Sequence, residues 1–264
     1  MIEKDREKVL REGIEEGFYP RYLCKYWSFD SAKRFLESSL IKYSSCYDFN
    51  DPFEGAFGLI GNVTKEEWSE FLKRFSINNS QDIAIGTTMY EEVKKMMTNV
   101  IYKALQCVGI FCLAQENDNL LMWAHYAKEH EGVCLKFDLL KDTKAFSSLH
   151  KVVYSTDYLN FNFVTDLSRV NDILVHKSVE WMYEGEYRVL KLNGVGLGAV
   201  NPESLVEIDF GCRMSMENKQ AIKNIVSRNP KYKVQFKQAG MHSNDYTILI
   251  CDEDDKRIIM GTNA

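Results

Sequence analysis

Long apolar runs are missing from this chain. No stretch approaches the roughly 18 residues that a membrane-spanning helix needs, so no membrane role is expected. Proline is scarce, with four in 264 residues, and none sits in a credible linker. There is no internal repeat and no low-complexity passage. Paired cysteine motifs are absent too: the seven cysteines are scattered without CxxC spacing. An odd, unpatterned set points to reduced core thiols in a cytoplasm, and away from a disulfide framework or a zinc site. His125 and His130 are five apart, whereas a zinc helix needs i, i+4. No sign of charge dominates: 33 basic residues against 38 acidic give a net charge of −5, and nothing global suggests a polyanion binder. Lys219, Lys223, Arg228, Lys231, Lys233 and Lys237 crowd the C-terminal quarter and read as a solvated helix face and strand edge. The first 17 residues are charged throughout and lack a secretory apolar segment.

What is present is a soluble globular composition with the patterning of an α+β chain. Residues 1–20 form an N-terminal helical extension, with a helix over 2–17. Residues 21–264 form a single α+β domain of catalytic type. Strands are predicted at 22–28, 40–45, 109–114, 132–138, 150–154, 186–192, 205–210, 232–238 and 246–251. Helices are predicted after an Asp30 N-cap, from a Thr64/Glu67 capping box to about Phe75, and at 88–106, 119–130, 176–183 and 215–227. The Met-rich stripe of 88–106 reads as core. Residues 155–172, rich in Asn and Asp, are a candidate lid. Helices dominate early and strands late, which favours α+β over a doubly wound sheet.

The most informative stretch is YEGEYR, Tyr183 to Arg188. It places Glu184 and Glu186 two apart at an expected strand start, so both project from one face. Two close like charges are unfavourable unless a cation or polar group answers them. Arg188 shares the alternation and is a neutralising partner. A second constellation is FNDPFEG, Phe49 to Gly55. Asn-Asp-Pro starts a turn, and Asn50, Asp51 and Glu54 stand between two aromatic anchors. A third is the helix carrying Trp123, His125 and Tyr126, a set suited to stacking on a flat ring and hydrogen-bonding it. A fourth is CKYWSF, where Lys25 and Tyr26 reach a strand end.

KYWSF, YSSCYDFNDPFEG, FCLAQENDNLLMWAHYAKEHEGVCLKFD and KSVEWMYEGEYRVLK together resemble a bacterial family catalogued only as a domain of unknown function. The likeness runs in order from about residue 22 to 250. The order of strands, with a later strand entered through E-x-E, more distantly resembles the ADP-ribosyltransferase fold: a split or two-part mixed sheet with flanking helices. That resemblance implies NAD as substrate, held in a cleft between sheet segments. Lys25 or Tyr26 would grip NAD from the first strand, and Ser44 or Ser45 would brace the site. Glu186 would act on the nicotinamide ribose, with Glu184 helping the acceptor. No Arg or His stands on the first strand, a departure from the pattern. Asn50, Asp51, Trp123, His125 and Tyr126 complete the expected NAD-binding set.

The function expected from this is ADP-ribosylation of a nucleic acid or protein, as by a toxin or phage-defence effector with a partner or antitoxin protein. Two other classes stand beside it. One is a nucleotide- or RNA-binding module without turnover. The other is a metal-assisted hydrolase or nuclease using Asp51, Glu54 and Glu186.

Overall fold

The computed structural model describes residues 3–60, 64–74, 88–252 and 258–259. Among them the helices are α1 (Glu3–Glu15), α2 (Phe29–Ser38), α3 (Lys65–Arg74), α4 (Thr88–Gln106), α5 (Leu120–Tyr126) and α6 (Met216–Arg228). The strands are β1 (Tyr22–Trp27), β2 (Leu40–Tyr43), β3 (Phe57–Ile60), β4 (Gly109–Ala114), β5 (Val133–Asp138), β6 (Leu149–Lys151), β7 (Val153–Ser155) and β8 (Leu159–Asn162). They continue with β9 (His176–Ser178), β10 (Glu186–Lys191), β11 (Gly196–Ala199), β12 (Leu205–Phe210), β13 (Gln235–His242), β14 (Ile248–Cys251) and β15 (Ile258–Ile259). The chain is therefore mixed α+β, with a nine-stranded sheet in the order β14-β13-β12-β5-β1-β4-β10-β6 and β15 on β13. Its pairs are antiparallel except β12 with β13. Three two-stranded ribbons, β2–β11, β3–β8 and β7–β9, lie off it.

The two faces of the sheet differ in chemistry. Leu23, Phe111, Leu113, Leu135, Phe137, Tyr187, Val189 and Ile208 pack with Ala32, Phe35 and Leu36 of α2 and with Ile222 and Val226 of α6 to form the main core. Residues paired directly across an antiparallel ladder share a face. The rows Glu207–Lys136–Cys24–Ala114–Glu186, Asp209–Cys134–Tyr26 and Cys112–Arg188 therefore lie on the opposite face. On that face Trp123 and Met122 from α5 pack over Cys24, Tyr26 and Ala114, and Ile110 and Leu190 join a second apolar cluster with Ile101, Leu105, Ile173 and Leu174. The buried Glu186, Arg188 and Asp209 project from it.

The sheet also opens in its middle. β1 pairs with β5 through all six of its residues, and β4 pairs with β10 through all six. Between β1 and β4 a single pair, Cys24 with Ala114, holds. Past it, Ile110 exchanges both backbone hydrogen bonds with Ser44 instead (3.0 and 2.8 Å). The Lys25 ammonium caps the Cys112 carbonyl at 2.7 Å.

Several elements depart from the expected boundaries. Ser28, not Asp30, caps α2; its hydroxyl accepts from the Ser31 N–H, and Asp30 falls in the first turn, where a carboxylate suits the helix dipole. The helix expected at 119–130 stops at Tyr126, and Lys128, Glu129 and His130 all take positive φ. The chain has to re-enter β5 through Gly132, where a Cβ would lie 2.1 Å from the Trp27 carbonyl oxygen. The helix expected at 176–183 is strand β9 followed by a 3₁₀ turn, Val179–Glu184, because residues 176–178 pair in parallel with β7. The expected strand at 232–238 begins and ends later, as β13. Phe75, the expected end of α3, lies outside the described residues. The candidate lid is a packed segment, since Leu159, Phe161, Phe163 and Val164 within it are buried. In the basic quarter, Lys219 is buried on Gln238 (2.6 Å) rather than solvated. The N-terminal helix joins the core through Leu10, and its Glu7 accepts from the Thr143 hydroxyl at 2.8 Å.

Candidate functional site

Arg188 organises the polar face. It projects from β10, has no exposed surface, and spends all five of its N–H donors. Nη1 and Nη2 form a fork onto Glu54 (3.0 and 2.6 Å). Nε and Nη2 bind Glu186 (2.9 and 3.0 Å), and Nη1 also reaches the Leu174 carbonyl (2.7 Å). Such planar, two-pronged recognition is a property of guanidinium.

Lys177, from β9, answers the remaining charge. Its ammonium binds Glu184 and, at 3.1 Å, Glu186, and it lies 4.9 Å from the centre of the Trp181 ring. The Tyr126 hydroxyl donates to Glu184 Oε1 at 2.5 Å. The Glu186 backbone N–H donates to the Tyr154 hydroxyl at 2.9 Å. Three carboxylates and two cations thus interlock.

The electrostatics follow from these contacts. Burial alone would raise the Glu186 pKa, but Arg188 and Lys177 outweigh it and hold the group at about 2. Glu186 is a carboxylate at every physiological pH. Glu54 moves the other way, because its burial exceeds the pull of Arg188. The Tyr126 phenol is pushed up by burial and by Glu184. Burial and then Glu186 raise the Cys112 thiol, so it is no thiolate nucleophile.

Glu184 and Glu186 reach the same place by a route other than two alternate positions of one strand. Glu184 ends the 3₁₀ turn, Gly185 takes φ +51° as its C-cap, and Glu186 begins β10. A left-handed residue between them turns the chain, and glycine adopts that conformation without penalty.

Both glutamates line a hollow of about 140 Å³, together with Lys25, Tyr26, Phe49, Asn50, Glu54, Cys112, Ala114, Met122, Tyr126 and Lys177. That space suits a single ring, since an apolar cavity of about 150 Å³ accepts benzene. It is smaller than a dinucleotide. A second hollow of about 570 Å³ carries Trp27, Arg34, Lys42 and Phe111 in its wall and shares Lys25, Phe49 and Cys112 with the first. The shared residues stand at the opening between β1 and β4.

Of the residues singled out in the sequence, Glu184, Glu186, Lys25, Tyr26, Asn50 and Tyr126 line the first hollow. The Tyr26 hydroxyl is already committed to the Glu116 carbonyl (2.8 Å). Ser44 lines the second hollow. Ser45 stands outside both and accepts from the Tyr47 N–H as the cap of a short 3₁₀ turn. Asp51 also stands outside. Its Oδ1 accepts from the Phe53 N–H (2.9 Å) and its carbonyl from the Glu54 N–H (3.2 Å), which fixes the turn that presents Glu54. Trp123 stands outside both hollows as a fully buried core residue, edge-on to Tyr26, with Nε1 donating to the Asn117 carbonyl (2.8 Å). His125 is exposed, with Nδ1 3.0 Å from the Tyr183 hydroxyl. Lys177 was not anticipated: a lysine nine residues before Glu186 forms no pattern that links them. The Glu54–Arg188 fork joins residues 134 positions apart, and only the fold brings them together.

Residues 122–189 match the model of a family described as a protein of unknown function, DUF2971. The matched span holds Tyr126, Lys177, Glu184, Glu186 and Arg188, and stops short of Lys25, Asn50 and Glu54. No curated protein and no solved structure matches the chain.

Proposed function

We propose that this chain is an NAD-dependent ADP-ribosyltransferase acting on a macromolecular acceptor, nucleic acid or protein. One observation carries the reading: two buried glutamates, one of them held fully ionised, border a ring-sized hollow that adjoins a larger, cation-lined one across an opened sheet. The nicotinamide ring fits the first space. Lys25, on the shared wall, is placed for the diphosphate, and the second space has room for the adenosine half.

The chemistry is that of glycosyl transfer. As the nicotinamide–ribose bond breaks, its electron pair goes to the ring nitrogen, which becomes neutral, and positive charge develops at the ribose C1′ as in glycoside hydrolysis. Glu186, ionised and fixed by Arg188 and Lys177, stabilises that charge more in the transition state than in the ground state. The acceptor nucleophile forms the new bond to C1′ and gives its proton to Glu184. Among the described residues no group of acidic, Cys or His side chains is arranged to hold a metal ion. Lys177 and Arg188 already engage oxygens of all three glutamates, which weighs against the metal-assisted alternative.

The same satisfied network favours a second reading, a nucleotide-binding module in which the glutamates only shape the cavity. Incubation with NAD separates the two. The transferase reading expects nicotinamide release that falls about 10²–10³-fold in Glu186→Gln. Tight NAD binding with no nicotinamide released, and no effect of Glu186→Gln across a panel of acceptors, would establish the module instead.

A further inference from the structure

Lys177 has two sides. Its ammonium closes on the glutamates, and its chain also borders a separate hollow of about 340 Å³ walled by Phe53, Ser155, Thr156, Asp157, Tyr158 and His176. Phe53 is 59% exposed and Tyr158 is 54% exposed, and neither belongs to a core cluster. Their ring centres lie 6.3 Å apart with planes inclined at 37°. Two large aromatics left together at the surface favour an interaction site over a packing role. The neighbouring loop is organised. The Asp157 N–H donates to the Ser155 hydroxyl (3.0 Å), and the Thr156 hydroxyl donates to Asp157 Oδ2 (3.1 Å). In the wall, His176 Nδ1 is closed off from solvent with no hydrogen-bond partner among the described residues.

We propose that this hollow binds a nucleobase bearing an exocyclic amino group, and that the base belongs to the acceptor. The assignment to an acceptor rests on the transferase reading above. The volume falls in the range of small-ligand sites. The two rings are too close and too inclined to sandwich a base, so it stacks on the outer face of one with its edge against the other. Stacking of this kind is sequence-tolerant. Selectivity comes from the Asp157 carboxylate, which accepts from an amino edge and repels phosphate. A guanidinium has the right charge for the aspartate but is too small to cover both rings. Lys177 lies between this hollow and the glutamates, so a base seated here stands next to the groups that would activate it.

Nucleosides are the probe, because they carry no phosphate to draw them to Lys25 or Arg34. Calorimetric titration of adenosine, guanosine, cytidine and uridine is expected to show binding of the three amino-bearing nucleosides and weaker binding of uridine. Affinity is expected to fall tenfold or more in Phe53→Ala and in Tyr158→Ala, both surface changes whose folding a melting curve verifies. The proposal is overturned by no binding of any nucleoside at millimolar concentration. Binding indifferent to both ring substitutions, or preference for methylguanidine over every nucleoside, overturns it equally. Nucleoside binding of the expected kind without nicotinamide release sinks the transferase reading alone; nicotinamide release without nucleoside binding sinks this one alone.

Discussion

At the scale of single residues, Arg188 carries more of the site than either glutamate. A fully buried guanidinium with five satisfied donors costs a great deal to desolvate, and its partners offset that cost only while it is present. Replacing it with methionine leaves Glu54 and Glu186 buried without their main counter-charge. We expect Arg188→Met to lose about 3–5 kcal/mol of stability by denaturant titration, and a loss below about 1 kcal/mol would contradict the account. The sequence made Arg188 legible as a neutraliser of Glu186, because alternation on a strand is local. It could not show the fork onto Glu54 or the grip of Lys177, which depend on contacts between distant segments. Asp51 illustrates the reverse. Its motif pointed to a defined position, and the turn it fixes serves Glu54 instead of a ligand.

At the scale of elements, the short passage from the 3₁₀ turn through Gly185 into β10 decides where the acids point. Strand periodicity was the wrong cause for a right outcome: the glutamates share a hollow because the chain bends between them through a left-handed glycine. An alanine there meets the ordinary left-handed penalty of about 1–2 kcal/mol. A Cβ there would meet Gln115 only at normal contact distance, so the penalty is conformational and not steric. Gly185→Ala is therefore expected to lower the unfolding free energy by that amount and to move Glu184 relative to Glu186. Unchanged stability in chemical denaturation would show that the turn is not strained. α4 was legible because its apolar residues repeat at helical spacing, and β4 and β5 because each is a short, nearly continuous apolar run. The β3–β8 and β7–β9 ribbons were not, since three or four residues in a loop-like composition carry too little periodicity to register.

At the scale of the whole molecule, the sheet has one apolar face and one that holds charges, and the second sets how stability responds to pH. Glu186, held at about 2, contributes stability that is complete above the ordinary carboxylate range and is lost as pH falls through the folded value. Asp209, further along the same face, works in the opposite sense. Burial, followed by Glu207, raises it to about 7, and its Oδ1 has no partner among the described residues. Between the ordinary value of about 3.9 and about 7, the folded state keeps a proton that the unfolded chain has released. The stability from that proton is full at acid pH and disappears as pH rises through about 7. Asp209→Asn should therefore gain on the natural protein in melting temperature between pH 5 and pH 8, and a pH-independent difference would contradict this. The α+β class was readable from the order of elements, whereas the sheet was expected as split or two-part through the family resemblance and is one nine-stranded sheet. The opening between β1 and β4 was not readable, because a missing strand pairing leaves no mark in either strand's own pattern.

That opening, with the acid-lined hollow beside it, is the centre of the account, and a crystal of the intact protein soaked with NAD tests it most directly. The expected density places the nicotinamide ring among Tyr26, Phe49 and Tyr126, the ribose C1′ against Glu186, and the diphosphate on Lys25. Density for the dinucleotide elsewhere on the surface, with the glutamate hollow still filled only by solvent, would contradict it.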